Sequence, residues 1–258
     1  MLHTDKFPVL EFDDDPHDLI GQGEAKTVEA DRFPSRAVFA FLGPAIDEYA
    51  ADNKLAEIDR IEMIGDVFPV YRAKVPTGDV ALMRMPLGSP AAVMCTDYLF
   101  RFGVKRALAV GSCGALEALA EGELFVPTRA LRDEGTSYHY LPASPWVDLD
   151  PTMRGHIEAA VARAGYHTSS APVWTNDAFY RETPEMLAHR LAQGCRIVDM
   201  ECSAMAASAQ LRGADFAQLF YTADSLGSPE GHEARDWGYS ERDRALQLAL
   251  DAISRAQA

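Results

Sequence analysis

Three carboxylates set the terms on which this chain can do chemistry. Asp199 and Glu201 flank Met200 in the run Ile197-Val198-Asp199-Met200-Glu201-Cys202. The apolar pair Ile197-Val198, just after Gly194, reads as a buried strand, and residues two apart on a strand face the same way. Both acids then lie on one side of a strand end. There the Ala-rich run 203–211 begins a helix, and Gly213 supplies its terminator. Asp224 follows a second strand-like run, residues 217–222. Open α/β sheets bind ligands at the carboxyl ends of their strands, so three acids at two such ends imply a pocket for a polyhydroxylated ligand. Asp199 taken alone reads as a helix cap or turn residue, because a carboxylate satisfies the orphan N–H groups of a helix start. Glu201, between Met200 and Cys202 at the head of an apolar helix, does not read as solvated surface.

The elements that must position these acids follow from the apolar runs. Residues 37–42 form a continuous run, as a strand buried on both faces does. Gly43-Pro44 ends it, and a helix follows from about 45 to 53. A strand pair is expected over 61–86 around the turn Pro76-Thr77-Gly78-Asp79. Gly88-Ser89-Pro90 predicts a helix capped by Ser89 and ended by Gly103. Residues 106–110 make another buried strand that runs into Gly111-Ser112-Cys113-Gly114-Ala115-Leu116. Small residues there let a ligand approach the backbone; a tight turn is the alternative reading, and the stretch is neither a P-loop nor a GxSxG elbow. Further strands are expected at 124–127 and 171–174, with a polar, aromatic loop at 132–140. Asp150-Pro151, Thr183-Pro184 and Ser240-Glu241-Arg242-Asp243 each start a helix. The last of these carries Leu246, Ala249, Leu250 and Ile253 on one face. Strands alternating with helices give an α/β class: three layers, a central mixed sheet flanked by helices.

Composition sets the limits. The 258 residues suit one large domain, expected over 35–258 behind an arm of residues 1–34. In the arm, Glu11, Asp13, Asp14, Asp15 and Asp18 read as a solvated charge run, with His17 among them as a candidate visitor to a neighbouring subunit's site. A net charge of −15 argues against nucleic acid as a partner. No apolar run approaches the ~18 residues of a membrane span, and the N-terminus carries no signal-like apolar segment. A cytoplasmic protein is expected. Cys95, Cys113, Cys195 and Cys202 are scattered, which fits buried thiols rather than a metal site or disulfides.

Four motifs in register carry a resemblance. Val110-Gly111-Ser112-Cys113-Gly114-Ala115-Leu116, Asn176-Asp177-Ala178-Phe179-Tyr180, Val198-Asp199-Met200-Glu201 and Ala223-Asp224 resemble the nucleoside phosphorylase family, from about residue 36 to the C-terminus. That family includes purine nucleoside phosphorylases, uridine phosphorylases and methylthioadenosine nucleosidase. The resemblance implies that Glu201 grips the ribose 2′- and 3′-hydroxyls while Met200 packs on the sugar. It implies that Phe179 stacks on the base, with Ser112, Cys113 and Gly114 beside base and sugar. Asp224 matches the acid that serves purine N7 as the base departs, which is general acid catalysis past an oxocarbenium-like sugar. A purine nucleoside is therefore the expected substrate, and a homo-oligomer the expected assembly, with Tyr138-His139-Tyr140 as a candidate contact. No cofactor or metal is implied; inorganic phosphate is the co-substrate if the reaction is phosphorolysis.

Two positions depart from the family pattern. Asp47 stands where phosphorolytic members carry a phosphate-binding Arg, and Ala109 replaces a second Arg. An acid at 47 is placed to activate water instead, as the corresponding Glu does in nucleosidases; Arg84 is the candidate substitute phosphate ligand, beside the reading of a surface or subunit-contact Arg. Phosphorolysis to free base and ribose 1-phosphate is the nominal expectation. Hydrolysis using Asp47 is the alternative, and a non-catalytic nucleoside-binding protein on the same fold is the rival from another class.

Overall fold

The computed structural model describes residues 1–20, 31–228 and 231–256. A short antiparallel pair, β1 (Leu2–His3) with β2 (Phe12–Asp13), stands apart from the main sheet. The chain continues through β3 (Arg36–Phe41), α1 (Ala45–Asp52), β4 (Ala56–Met63), β5 (Asp66–Val75), β6 (Gly78–Arg84), α2 (Ser89–Arg101) and β7 (Arg106–Ala115). Next come β8 (Leu124–Phe125), β9 (Arg129–Asp133), β10 (Trp146–Asp148), α3 (Pro151–Arg163), β11 (Thr168–Ser169), β12 (Val173–Asn176) and α4 (Pro184–Ala192). Last are β13 (Ile197–Asp199), α5 (Cys202–Arg212), β14 (Asp215–Ser228), β15 (Gly231–Glu233) and α6 (Arg242–Arg255).

Thirteen strands form one mixed sheet, its main path running β10-β9-β12-β13-β7-β3-β6-β5-β4. The six helices among the described residues flank it. Strand β7 is its seam. Residues 106–111 pair in parallel with β3, residues 106–113 pair in parallel with β14, and Gly114 and Ala115 pair antiparallel with β13. Its middle is enclosed on both edges and both faces and is apolar there: Ala107, Leu108, Ala109 and Val110 are fully buried. Ala37, Val38, Phe39 and Ala40 of β3 are buried to the same degree. Helix α2 packs against α5, and α3 against α6.

Several helix ends follow the expected chemistry. Asp150 accepts the Met153 N–H at 2.7 Å, Thr183 accepts that of Met186 at 3.4 Å, and Gly213 ends α5 with φ 65°. Others differ for physical reasons. Ser89 does not cap α2. It is the helix's first residue, its hydroxyl donates to the Met200 carbonyl at 2.7 Å, and Gly88 takes the cap position with φ 92°. Ser240 makes no side-chain cap; a 3-10 turn, Tyr239–Glu241, leads into α6. The segment 111–115, read as a strand end with a tight turn as the alternative, remains strand because β13 and β14 pair with its backbone. The pair expected over 61–86 is a three-strand meander that begins at Ala56. Residues 129–133 and 146–148 add β9 and β10, which have no counterpart in the sequence reading. Of the expected arm, residues 21–30 lie outside the described residues, and His17 is exposed beside Asp15. Tyr138 and Tyr140, expected at a subunit contact, direct their hydroxyls inward to the Arg132 carbonyl at 3.0 Å and to Asp97 at 3.1 Å. No helix among the described residues is long and apolar enough to cross a membrane.

Candidate active site

The carboxyl ends of β3, β7, β13 and β14 open onto one cavity of about 520 Å³, within the range of small-molecule sites. Its floor is Ser112, Cys113 and Gly114 from β7. One wall is Val198 to Glu201, where β13 turns into α5. Asp224 of β14 faces it, and Phe41 and Leu87 line the side nearest β3 and α2. Phe179, Tyr180, Glu182 and Trp237 form the rim.

The two strand-end acids play different parts. The strand ends at Asp199 and Glu201 is already the helix cap, with φ −140° and ψ −27°. The period-two argument therefore does not hold here; a turn brings both residues to the cavity. Asp199 is buried and fully engaged. One oxygen accepts from Thr175 Oγ1 at 2.7 Å, and the other from the N–H groups of Glu201 at 3.0 Å and Cys202 at 2.7 Å. It holds the start of α5, as its cap-like sequence position suggests. Behind it, Thr175 accepts the Ser203 N–H at 3.1 Å, and the Ser203 hydroxyl donates to buried Glu134 at 2.8 Å. Glu201 is 5 % exposed, and one of its oxygens accepts the Gly88 N–H at 2.6 Å. Burial, and then the negative charge of Asp199, push its carboxyl well above the usual range.

Asp224 reaches the cavity through a register shift in the β14–β7 pairing between Thr222 and Ser225, the kind of irregularity that re-aims side chains beside functional sites. Its Oδ1 lies 3.4 Å from where a Cβ on Gly114 would stand, so the acid packs against that glycine's backbone. Its Oδ2 is 3.0 Å from His232 Nε2. Cys113 is a wall rather than a nucleophile: its thiol donates to the Tyr221 carbonyl at 3.6 Å, and burial pushes its pKa up strongly.

Asp47 and Arg84 do not line the cavity. They pair with each other at 2.8 Å, Arg84 also holds Asp66 at 2.9 Å, and the Tyr71 hydroxyl donates to Asp47 at 3.0 Å. The other residues singled out from sequence, Ser112, Cys113, Gly114, Phe179, Met200, Glu201 and Asp224, all line it.

The sequence reading missed Glu182, Trp237 and His232. Glu182 is half-buried; burial, and to a lesser degree the charge of Asp224, push its pKa up to about 7, against the pull of the Asn176 amide. Trp237 sits in a left-handed backbone conformation, φ 56°, as does Arg235 at 48°. Such strain persists where surrounding structure over-determines it; here it sets the indole 6.4 Å from the Phe179 ring and 5.5 Å from His232. The nearness of Glu182 to Phe179 was the one signal available, since three residues on from an expected pocket residue remains within reach of the same cavity.

Residues 35–255 match the Phosphorylase superfamily. The chain belongs to that superfamily. It is 26% identical over 198 residues to the guanosine phosphorylase of Halorubrum lacusprofundi, covering 72% of this chain and 80% of that one. It is 26% identical over 212 residues to a DeoD-type purine nucleoside phosphorylase of Chromobacterium violaceum, covering 81% and 89%. The AMP nucleosidase of Bacteroides thetaiotaomicron shares the fold, with a TM-score of 0.70 at 19% identity over 86% of this chain and 87% of that structure. Phosphorylase-superfamily membership supports an enzyme that acts on nucleosides.

Proposed function

We propose that this phosphorylase-superfamily enzyme cleaves the N-glycosidic bond of a purine nucleoside, with water as the acceptor of the ribosyl group. The observation that carries the cleavage reading is the convergence of Glu201 and Asp224 on one open cavity. A carboxylate accepts from two vicinal hydroxyls at once, and such charge-assisted bonds are the strong kind. Glu201 therefore holds the ribose 2′- and 3′-hydroxyls, with Met200 against the sugar. Phe179 stacks on the base and Asp224 serves N7 as the base leaves. A filled cavity would have favoured a binding protein with no chemistry; the open one favours turnover.

Water is favoured by charge. The cavity is lined by Glu182, Asp199, Glu201 and Asp224 and by no Lys or Arg among the described residues. A phosphate dianion needs cations, and each lost charge-assisted contact costs roughly 1.5–3 kcal/mol. Arg84 is held by two carboxylates, Asp47 and Asp66, instead of being available to an anion. Phosphorolysis is the second reading, favoured by the names of the relatives and by Arg242. That guanidinium lies against the Gly43 turn, 3.4 Å from where a Cβ on Gly43 would stand, and stacks on Tyr239.

The products decide. Inosine and guanosine incubated with and without phosphate should give free ribose at the same rate. Ribose 1-phosphate, with turnover that saturates in phosphate and is lost in Arg242→Ala, would establish phosphorolysis instead. Because Asp47 already accepts from Arg84 and Tyr71, Asp47→Asn should change turnover less than about twofold; a collapse would make Asp47 the base that activates water.

A further inference from the structure

Asp224 has a partner that the sequence motifs do not single out. Strand β15 folds back along β14, pairing Ser225 with Glu233 and Ser228 with Gly231, and so carries His232 to the acid. The carboxylate stands between two worlds. Its Oδ2 meets the imidazole Nε2 at 3.0 Å, while its Oδ1 faces Gly114 on the cavity floor. The Asp224 side chain is 11% exposed and that of His232 38%. Solvent protons reach the imidazole more readily than they reach the acid.

We propose that His232 is the positioning residue for Asp224: it orients the carboxylate toward the leaving base and restores its proton from solvent. The inference rests on the N-ribosyl cleavage reading above. Once Asp224 has given its proton to purine N7, the carboxylate left behind has none for the next turnover, and an imidazolium hydrogen-bonded to it can supply one. In the step itself the C1′–N9 bond breaks and its electron pair passes to the purine. The proton on Asp224 goes to N7, and the Nε2 proton of His232 moves onto Asp224 Oδ2. The neutral imidazole is then reprotonated by solvent, which receives the proton that the attacking water loses.

The charged groups around His232 come from three segments. Asp224 contacts it from β14, and Glu182 feels its charge from the turn before α4. On its own segment stand Glu233 and Arg235. Arg235 is turned toward the Leu119 carbonyl, at 2.8 Å, and Glu233, at 3.8 Å. The Trp237 indole packs beside the imidazole and carries no charge to compete.

The test compares two substrates. Inosine needs a proton at N7 to leave; 7-methylguanosine already carries a positive charge there. His232→Asn should lower kcat/KM for inosine by about tenfold or more and leave that for 7-methylguanosine within about twofold of wild type. It should also remove the alkaline limb of the inosine pH profile, since histidine is the side chain that loses its charge across neutral pH. Equal losses on both substrates, or no loss on inosine, overturn the relay and leave the pair as a clasp for β15. A wild type that cleaves no nucleoside sinks the functional reading and takes the relay with it. A wild type that cleaves nucleosides but fails the substrate comparison sinks the relay alone.

Discussion

Glu201 is the residue on which the site's chemistry and its stability pull in opposite directions. The proposed grip on two hydroxyls needs Glu201 ionised, yet burial and Asp199 oppose ionisation in the empty site. Glu201→Gln should keep the fold and lose about a hundredfold or more in kcat/KM, because two charge-assisted bonds weaken together. Unchanged efficiency on the best substrate would remove Glu201 from the sugar. Its raised pKa also fixes a sign for stability. The folded state holds the proton more tightly than the unfolded chain does. The contribution is therefore fully present below the unfolded value of about 4.3 and is lost as pH rises through the folded one. Melting curves of the ligand-free protein from pH 5 to 9 should fall more steeply for wild type than for Glu201→Gln; parallel curves would mean that Glu201 ionises as an ordinary surface acid. Glu201 was legible in the sequence because an acid between Met200 and Cys202 has no surface explanation. His232 and Glu182 were not, because polar residues in segments without periodicity acquire a role only from what the fold sets beside them.

At the scale of elements, the site depends on how closely β7, β13 and β14 approach one another. Gly114 lies where they meet: a Cβ there would stand 2.9 Å from Val198 Cγ1 as well as 3.4 Å from Asp224. Gly114→Ala should push Val198 and with it β13 back, costing roughly 1–3 kcal/mol of stability and most of the activity. A variant with wild-type Tm and turnover would show that the gap tolerates a methyl group. The central strands were readable from sequence since burial on both faces leaves apolar runs, as at 37–42 and 107–110. The limits of β7 were not, because Gly114 and Ala115 become strand only through partners far along the chain, Val198 and Ile197. Strands β9 and β10 were hidden for a related reason. Arg129, Arg132, Asp133 and Asp148 look like loop residues until Asp133 meets Arg190 at 2.8 Å and Arg132 meets Ser137 at 2.8 Å.

At the scale of the whole molecule, large apolar side chains stand in solvent: Ile64 on the β4–β5 turn, Leu87 at the cavity's edge and Met94 on α2. Leu87 joins the surface to the site, so a second copy covering it would also narrow the cavity mouth. Light scattering at assay concentrations should report a homo-oligomer, and Leu87→Glu should weaken it while raising KM more than it lowers kcat. A stable wild-type monomer would count against that expectation.

The position of β7 has a consequence in time as well as in space. Its amides are locked between neighbouring strands, so the floor of the cavity should be among the last parts of the protein to exchange with deuterium. The rim, made of the short 3-10 turn around Phe179 and the strained segment around Trp237, has far fewer backbone bonds to break and should exchange early. Substrate would then enter and product leave through a fast-breathing doorway above an immobile bed, and a bound nucleoside would slow exchange at the doorway while leaving the bed unchanged.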